Sequence, residues 1–364
     1  MNVNSWAYQL QNVNVNQIAN DSTFELIVMD YSIDGTDTGK FSPQEITQIK
    51  NSGKKAIAYI SIGEAEDYRY YWQSIWLTNP PVWLGQENPD WPGNYKVKYW
   101  DVNWQSIIFS YVDTIISQGF DGIYMDIIDA YYYWQVENPQ QPYADSLMIQ
   151  FVLNIRNHIS SVTSNTFYMI PQNGEDIISS INVSQNLKTN YFNAVNAIGV
   201  EDVFFPGNLN EDNPYNPNTY RIQQLQGYQA NGKRIFSIEY LTQQSKIQQY
   251  ISAAQNENYV SYACMRALDL LCNGIRMGME ETQIKTPVEI YPNPCSETTT
   301  LKITNGKIQN YELTIYDLFG REVRKYEIKN PKSEIDLSAQ LSGMYFYRVM
   351  NEQLVIGNGK IIIQ

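Results

Sequence analysis

Apolar runs of strand length alternate with amphipathic helical patterns through about the first 270 residues, and this succession limits the possible folds more than any single motif. "FELIVMDYS" is followed by "SPQEITQIKNSGK", where Ser42 predicts an N-cap, Pro43 the first helical position and Gly53 the stop. "KAIAYISIGEAEDYRYYW", "YKVKYWDV" and "GFDGIYMDIIDAYYYW" predict the second to fourth strands. "NTFYMIPQNGED", "AVNAIGVEDVFF", "RIFSIEYL" and "YVSYACMRALDLL" predict the fifth to eighth. Helical patterns such as "NWQSIIFSYVDTIISQG" and "TQQSKIQQYISAAQNEN" lie between them. Eight β-then-α units in series predict an α/β fold, a (β/α)8 barrel over residues 1–273, with an open doubly wound sheet as the alternative.

Beyond residue 273 the pattern changes. "NGIRMGMEETQIKTP" reads as a linker over 274–286. Short alternating strands without helices then fill 287–364, with a turn at Phe319-Gly320-Arg321, and predict a small β-sandwich.

The net charge of −13 lies entirely before Thr286, because the chain from there on holds nine basic and nine acidic residues. All eight tryptophans, Trp6 to Trp134, fall in the acidic part. Such a field disfavours nucleic acid and suits neutral or cationic ligands. No apolar run has the length of a membrane span. "MNVNSWAYQL" carries no signal-like pattern and reads as a mature terminus given a new Met. Cys264, Cys272 and Cys295 form neither a disulfide framework nor a zinc signature, and one pair among them stays open. The single histidine, His158, lies on an amphipathic helix, which argues against a Ser-His-Asp triad, a multi-His metal site or metal-dependent deacetylation. No metal or cofactor is expected, and the chemistry falls to carboxylates, tyrosines and amides.

Predicted strands end on Asp30, Glu64, Asp101, Asp126, Gln172 with Asn173, Glu201 and Glu239, where barrel enzymes place their sites. In the fourth strand Asp126 shares a face with Tyr124, opposite Ile123 and Met125, so it points into the mouth if those apolar residues face the helices. Glu201 follows Gly199 on one face of its strand, and that glycine leaves room for a sugar ring. Glycoside hydrolysis needs two such carboxyls, one protonated and one ionised, about 5–5.5 Å apart for retention and wider for inversion. Glu64 and Glu239 are rivals for either place; Asp129 reads as a helper or an N-cap, and Asp121 as structural. Tyrosines and tryptophans on the loops after the second and fourth strands offer stacking surfaces for sugar C–H faces. Candidate substrate contacts are Asp30, Tyr31, Glu64, Asp67, Tyr99, Asp129, Tyr131, Trp134, Gln172, Asn173, Glu239 and Tyr240, with Tyr132 and Tyr133 beside them.

"YISIGEAEDYRYYW", "GFDGIYMDIIDAYYYW" and "IGVEDVFF" resemble the signature segments of glycoside hydrolase family 114-like barrels, from Ser5 to about Leu271. That family includes endo-α-1,4-polygalactosaminidases. The resemblance implies an endo-acting hydrolase of an α-1,4-linked galactosamine-containing polysaccharide, a polymer that can be cationic. It also implies retention, with Asp126 as nucleophile and Glu201 as acid/base, the reverse assignment remaining open. A carbohydrate-binding barrel or adhesin without catalysis is the alternative.

"VEIYPNP", "TIYDLFGREV", "LSGMYFYRV" and "GKIIIQ" resemble the C-terminal sorting domain of type IX secretion substrates. That likeness implies a Bacteroidota-type source, passage through the type IX machinery and a secreted or cell-surface protein. A Sec signal is expected ahead of residue 1 in the precursor.

Overall fold

The computed structural model describes residues 1–272, 288–303, 311–317, 321–351 and 354–364. All of the predicted 274–286 linker, and Phe319 and Gly320 of the predicted turn, lie outside them. The chain divides into two units, Met1–Gly278 and Met279–Gln364.

The first unit begins with β1 (Trp6–Gln9), β2 (Leu26–Met29) and β3 (Lys55–Ser61). An excursion of three short strands follows: β4 (Glu64–Glu66), β5 (Leu84–Glu87) and β6 (Asn94–Val97). The main sheet resumes with β7 (Gly122–Asp126), β8 (Tyr168–Pro171), β9 (Ala197–Glu201), β10 (Arg234–Tyr240) and β11 (Val260–Cys264). Parallel pairing runs β1-β2-β3-β7-β8 and β9-β10-β11. The Gln172 to Gly199 bridge joins the two arcs. At the other seam the Leu10 N–H donates to the Leu268 carbonyl at 2.9 Å, and the Trp6 indole donates to the Val260 carbonyl at 2.9 Å. Eight parallel strands therefore close a (β/α)8 barrel among the described residues.

Two strand assignments differ from the sequence expectation. The first barrel strand is "WAYQ", four buried residues inside the segment read as a bare terminus. Its run is too short and too uniformly buried to show a period. The predicted third strand lies outside the barrel, because β6 pairs antiparallel with β4 and β5 in a sheet of its own. The alternation in "YKVKYW" belongs to a half-buried antiparallel strand. Asp101, expected at the mouth, accepts from the Asn103 N–H and caps the helix Val102–Gln118.

Other local signals hold. Ser42 and Glu45 form a reciprocal capping box with Pro43 in the first turn, and Gly119 ends its helix with φ +88. Inside the barrel, Trp6 on β1 packs against Tyr124, Phe236 and Tyr262 of β7, β10 and β11 at ring distances of 5.4–6.2 Å. β7 lies three strands from β1 and β10 two, so these rings meet across the barrel interior. Tyr124 therefore points inward, and so does Asp126 two residues later.

The second unit has two antiparallel sheets. One is β12 (Val288–Tyr291), β13 (Thr298–Ile303) and β16 (Lys332–Asp336). The other orders β15 (Glu322–Ile328), β14 (Tyr311–Tyr316), β17 (Gly343–Asn351) and β18 (Leu354–Ile363). Leu301, Leu313, Ile315, Ile335, Val349 and Ile361 form its core. This is the small β-sandwich the alternating pattern predicts.

Candidate active site

A cavity of about 930 Å³ opens at the carboxyl ends of the barrel strands. Asp126 lines it, half-buried. The Tyr59 hydroxyl donates to its Oδ2 at 2.7 Å and the Ile127 N–H to its Oδ1 at 2.8 Å. Burial, and after it the negative charge of Glu201, push the Asp126 carboxyl up to about 8; the two hydrogen bonds work against that rise. Glu201 accepts from Asn173 Nδ2 at 3.1 Å and from the Tyr240 hydroxyl. The Asp126 carboxyl therefore keeps its proton at neutral pH, beside the Glu201 charge that helps to raise it. One acid and one base then coexist in the same cavity.

The backbone beneath them is held in uncommon conformations. Ile127, Asn173 and Asp202, which follow Asp126, Gln172 and Glu201, have φ of 61, 56 and 53. A β-branched residue at such a φ is an outlier that surrounding contacts must enforce. Gly63 supplies one of these contacts, for a Cβ there would lie 2.2 Å from the Ile127 carbonyl oxygen. Arg221, on the helix Thr219–Ala230, supplies another. It pairs with Glu175 and donates to the Glu201 backbone oxygen at 2.8 Å and to Asn173 Oδ1 at 3.0 Å. The strand ends carrying Asn173 and Glu201 are thus clamped by one guanidinium.

Asp129 is exposed and lines the cavity, and its own backbone N–H bonds its carboxylate. Burial by protein around it and the Glu201 charge raise it to about 6. It caps no helix with its side chain. Gln172 also lines the cavity, its Oε1 accepting from the Tyr8 hydroxyl at 3.2 Å. Asp30 and Glu64 line the same space as members of ion pairs. Arg69 bridges Asp30 and Glu66, both at 2.7 Å, and Lys96 and Asn88 hold Glu64 Oε1 at 2.5 and 2.9 Å. Tyr131 reaches the cavity with its hydroxyl committed to Asp176. Tyr240 does so with the Arg266 guanidinium 3.9 Å above its ring.

The structure does not bring Tyr31, Asp67, Tyr99, Trp134 and Glu239 to the cavity. Tyr31 is buried against Tyr111 and donates to the Gly35 carbonyl. Tyr99 donates to the Ala144 carbonyl and the Trp134 indole to the Val97 carbonyl, so both are core residues whose polar atoms are used internally. Asp67 belongs to a turn, its N–H donating to the Gly93 carbonyl. Glu239 is fully buried and accepts from the Phe204 and Phe205 N–H groups, fixing the loop after β9. It neighbours Tyr240, and adjacent strand residues face opposite sides, so only one of the two enters the barrel.

Gly199 serves another purpose than room for a sugar. A Cβ on it would lie 1.9 Å from the Tyr124 hydroxyl, so the space beside it is filled by the protein itself. Tyr59, Arg69, Lys96, Arg221 and Arg266 were not singled out by sequence. Tyr59 and Ser61, alternate polar positions in "AIAYIS", are the one signal that could have found a member of this group. His158 stacks on Phe109 and bonds Asp113, away from the cavity. Among the described residues no group of three His, Cys, Asp or Glu side chains is placed to hold a metal ion.

Residues 1–282 match the model of glycoside-hydrolase family GH114, and residues 289–364 that of a secretion system C-terminal sorting domain. An uncharacterized protein of Methanocaldococcus jannaschii is 43% identical over 275 residues, 73% of this chain and 77% of its own. Another from Thermotoga maritima is 38% identical over 278 residues, 74% of this chain and 83% of its own.

Two solved structures share the fold. The glycoside hydrolase domain of PelA from Pseudomonas aeruginosa aligns with TM-score 0.56 at 14% identity, over 74% of this chain and 97% of its own. Aspergillus fumigatus Ega3, solved in complex with galactosamine, aligns with TM-score 0.53 at 18% identity, over 73% and 92%. No helix among the described residues is long and apolar enough to cross a membrane, and the sorting domain marks a secreted or cell-surface protein. With a barrel, a carboxylate-lined mouth and a family match over its first 282 residues, the chain belongs to glycoside hydrolase family GH114 and is a glycoside hydrolase with a secretion tail.

Proposed function

We propose that the enzyme cleaves, within the chain, an α-1,4-linked galactosamine-containing polysaccharide, using Asp126 and Glu201 with retention of anomeric configuration. The observation that carries this reading is the pair itself: two mutually repelling carboxyls at one barrel mouth, each held by its own tyrosine. The excess of acid in the barrel part of the chain and the carboxylate of Asp129 suit a substrate bearing ammonium groups. Galactosamine bound to the fungal fold relative points to the same sugar. Asp30, Glu64, Tyr131, Gln172, Asn173 and Tyr240 border the cavity as its further sugar contacts. Export through type IX machinery, directed by the sorting domain, would place the enzyme where such polymers lie.

In the first step the Asp126 carboxylate attacks the anomeric carbon. The glycosidic C–O bond breaks, and its oxygen leaves with the proton of Glu201. In the second step water attacks the same carbon and gives its proton to Glu201. The bond to Asp126 breaks and the carboxylate is restored.

One observation favours exchanged roles: burial keeps the Asp126 carboxyl protonated near neutral pH in the free enzyme. Azide separates the two assignments. Digests of galactosaminogalactan by the wild type, Asp126→Ala and Glu201→Ala should show loss of activity in both variants. Azide should restore turnover in each, giving the inverted glycosyl azide where the nucleophile is missing and the retained one where the acid/base is missing. Full activity in either variant would remove that residue from the site. No cleavage by the wild type across a glycan panel would remove the substrate assignment.

A further inference from the structure

The antiparallel sheet β4-β6-β5 interrupts the barrel between β3 and β7, and the turn between β5 and β6 reaches the same cavity as the carboxylate pair. That turn presents Trp91. Of the eight tryptophans it alone stands exposed, at 57%, and it lines the cavity. An exposed indole leaves apolar surface in water, which monomeric proteins usually keep for a binding function when it borders a cleft.

The turn is not a loose loop. The Trp91 N–H donates to the Asn88 carbonyl at 3.2 Å, and the Asn94 N–H to the Trp91 carbonyl at 3.1 Å. Gly93 N–H donates to Glu87 Oε1 at 2.7 Å, and the Gly93 carbonyl accepts from Asp67 N–H at 2.8 Å. Asn88, itself buried, donates to Glu64. A turn whose backbone is held this way loses little freedom when a ligand covers its aromatic ring. Beside it Asn94 also lines the cavity, and its side-chain oxygen has no donor among the described residues. A side chain with an unused acceptor can turn to accept from a sugar hydroxyl.

We infer that Trp91 is the stacking platform of an outer sugar subsite, built by the β4-β6-β5 insertion and distinct from the subsites that flank the scissile bond. The occupant is a pyranose ring of the polymer chain whose neighbouring residues lie over Asp126 and Glu201. Three features select this occupant. The cavity is continuous from the carboxylates to Trp91, and its volume of about 930 Å³ is at the upper end of ligand pockets. An indole face matches the C–H face of a sugar. The polar groups around it, Asn88, Asn94 and the Lys96–Glu64 pair, include both donors and acceptors suited to hydroxyls. The subsite rests on the endo-acting polysaccharide reading, because only a chain longer than the cleaved linkage reaches it.

The test compares kcat/KM on galactosamine oligomers of increasing length for the wild type, Trp91→Ala and Trp91→Phe. Wild type should gain efficiency as chains lengthen enough to reach the turn. In Trp91→Ala the ratio of long-chain to short-chain kcat/KM should fall roughly two- to tenfold, the scale of one aromatic stacking contact. Trp91→Phe should recover most of that ratio. An unchanged ratio, or equal recovery with Ala and Phe, would overturn the subsite. If the wild type cleaves a different glycan, the substrate assignment falls while the same series on that glycan reads Trp91. If it cleaves none, affinity electrophoresis of wild type and Trp91→Ala in soluble polysaccharides decides: retardation lost only in the variant supports the subsite, and equal migration overturns it.

Discussion

The hydroxyl of Tyr124 occupies the space where a side chain on residue 199 would begin. Tyr124 is fully buried, with its ring 5.2 Å from that of Tyr8, and its hydroxyl has no hydrogen-bond partner among the described residues. A Cβ at position 199 would stand 1.9 Å from that oxygen and 2.4 Å from the ring carbon that bears it. Two strands that carry Asp126 and Glu201 are thereby packed face to face two residues below the acids.

Gly199→Ala should therefore destabilise the barrel by about 1–3 kcal/mol, the usual cost of overpacking a core. Tyr124→Phe alone should cost little, since it removes a buried hydroxyl that has no partner. Adding it to Gly199→Ala should relieve only part of the strain, because the ring carbon also stands too close. Urea denaturation of the three variants checks the ranking.

Tyr59 and Tyr240 each donate to one of the paired carboxyls. Tyr59→Phe and Tyr240→Phe should each lower kcat/KM about ten- to a hundredfold, from the roughly 1.5–3 kcal/mol carried by a hydrogen bond to a charged group. The Tyr59 bond also holds the Asp126 carboxyl below where burial alone would put it. Its removal should move the Asp126 limb of the pH–rate profile further up from about 8. A merely structural role for Tyr59 would change the rate without moving that limb.

Asp126 and Glu239 are pushed up to about 8 and Asp129 to about 6, chiefly by burial. Their folded-state values exceed those of the unfolded chain, so the folded protein binds more protons between about pH 4 and 8. The stability these groups contribute is complete below about pH 4 and is lost as pH rises through 6 and then 8. Asp34, Asp212 and Asp336, held low by hydrogen bonds, act in the opposite sense below about pH 4. Thermal unfolding should give a higher Tm near pH 5 than near pH 8.5, and Asp126→Asn should flatten that slope. An equal slope in the variant would locate the effect elsewhere.

Cys264 ends β11 and is bonded to Cys272 across a separation of eight residues, while Cys295 is free and buried. Closing so short a loop is worth about 2–3 kcal/mol through the unfolded chain. Dithiothreitol, or the double change Cys264→Ser with Cys272→Ser, should lower the Tm of the barrel unit. The sorting domain, whose cysteine is Cys295, should unfold at an unchanged temperature.

Much of the architecture is legible along the chain. Strand and helix periods arise from local backbone geometry, so "GFDGIYMDIID" already assigns Asp126 to the face of Tyr124. The same parity would have separated Tyr240 from Glu239, since one of two neighbours must point away from the barrel. Legibility failed where the local signal was too short or belonged to another pairing. "WAYQ" has too few residues to show a period, and "YKVKYW" has the alternation of a strand that pairs outside the barrel.

What the sequence by itself determined was therefore the run of elements, the side each strand residue takes, and the acids at strand ends. Only the tertiary structure decided which of these acids stay in the mouth. Asp101 was taken by a helix cap and Glu239 by backbone N–H groups, while Asp30 and Glu64 stay at the cavity as ion-pair partners of Arg69 and Lys96. It also decided that Tyr59 meets Asp126 and that Tyr124 fills the space at Gly199, contacts that span 67 and 75 positions of the chain. Such meetings depend on barrel closure and on the register between strands, which no local period encodes.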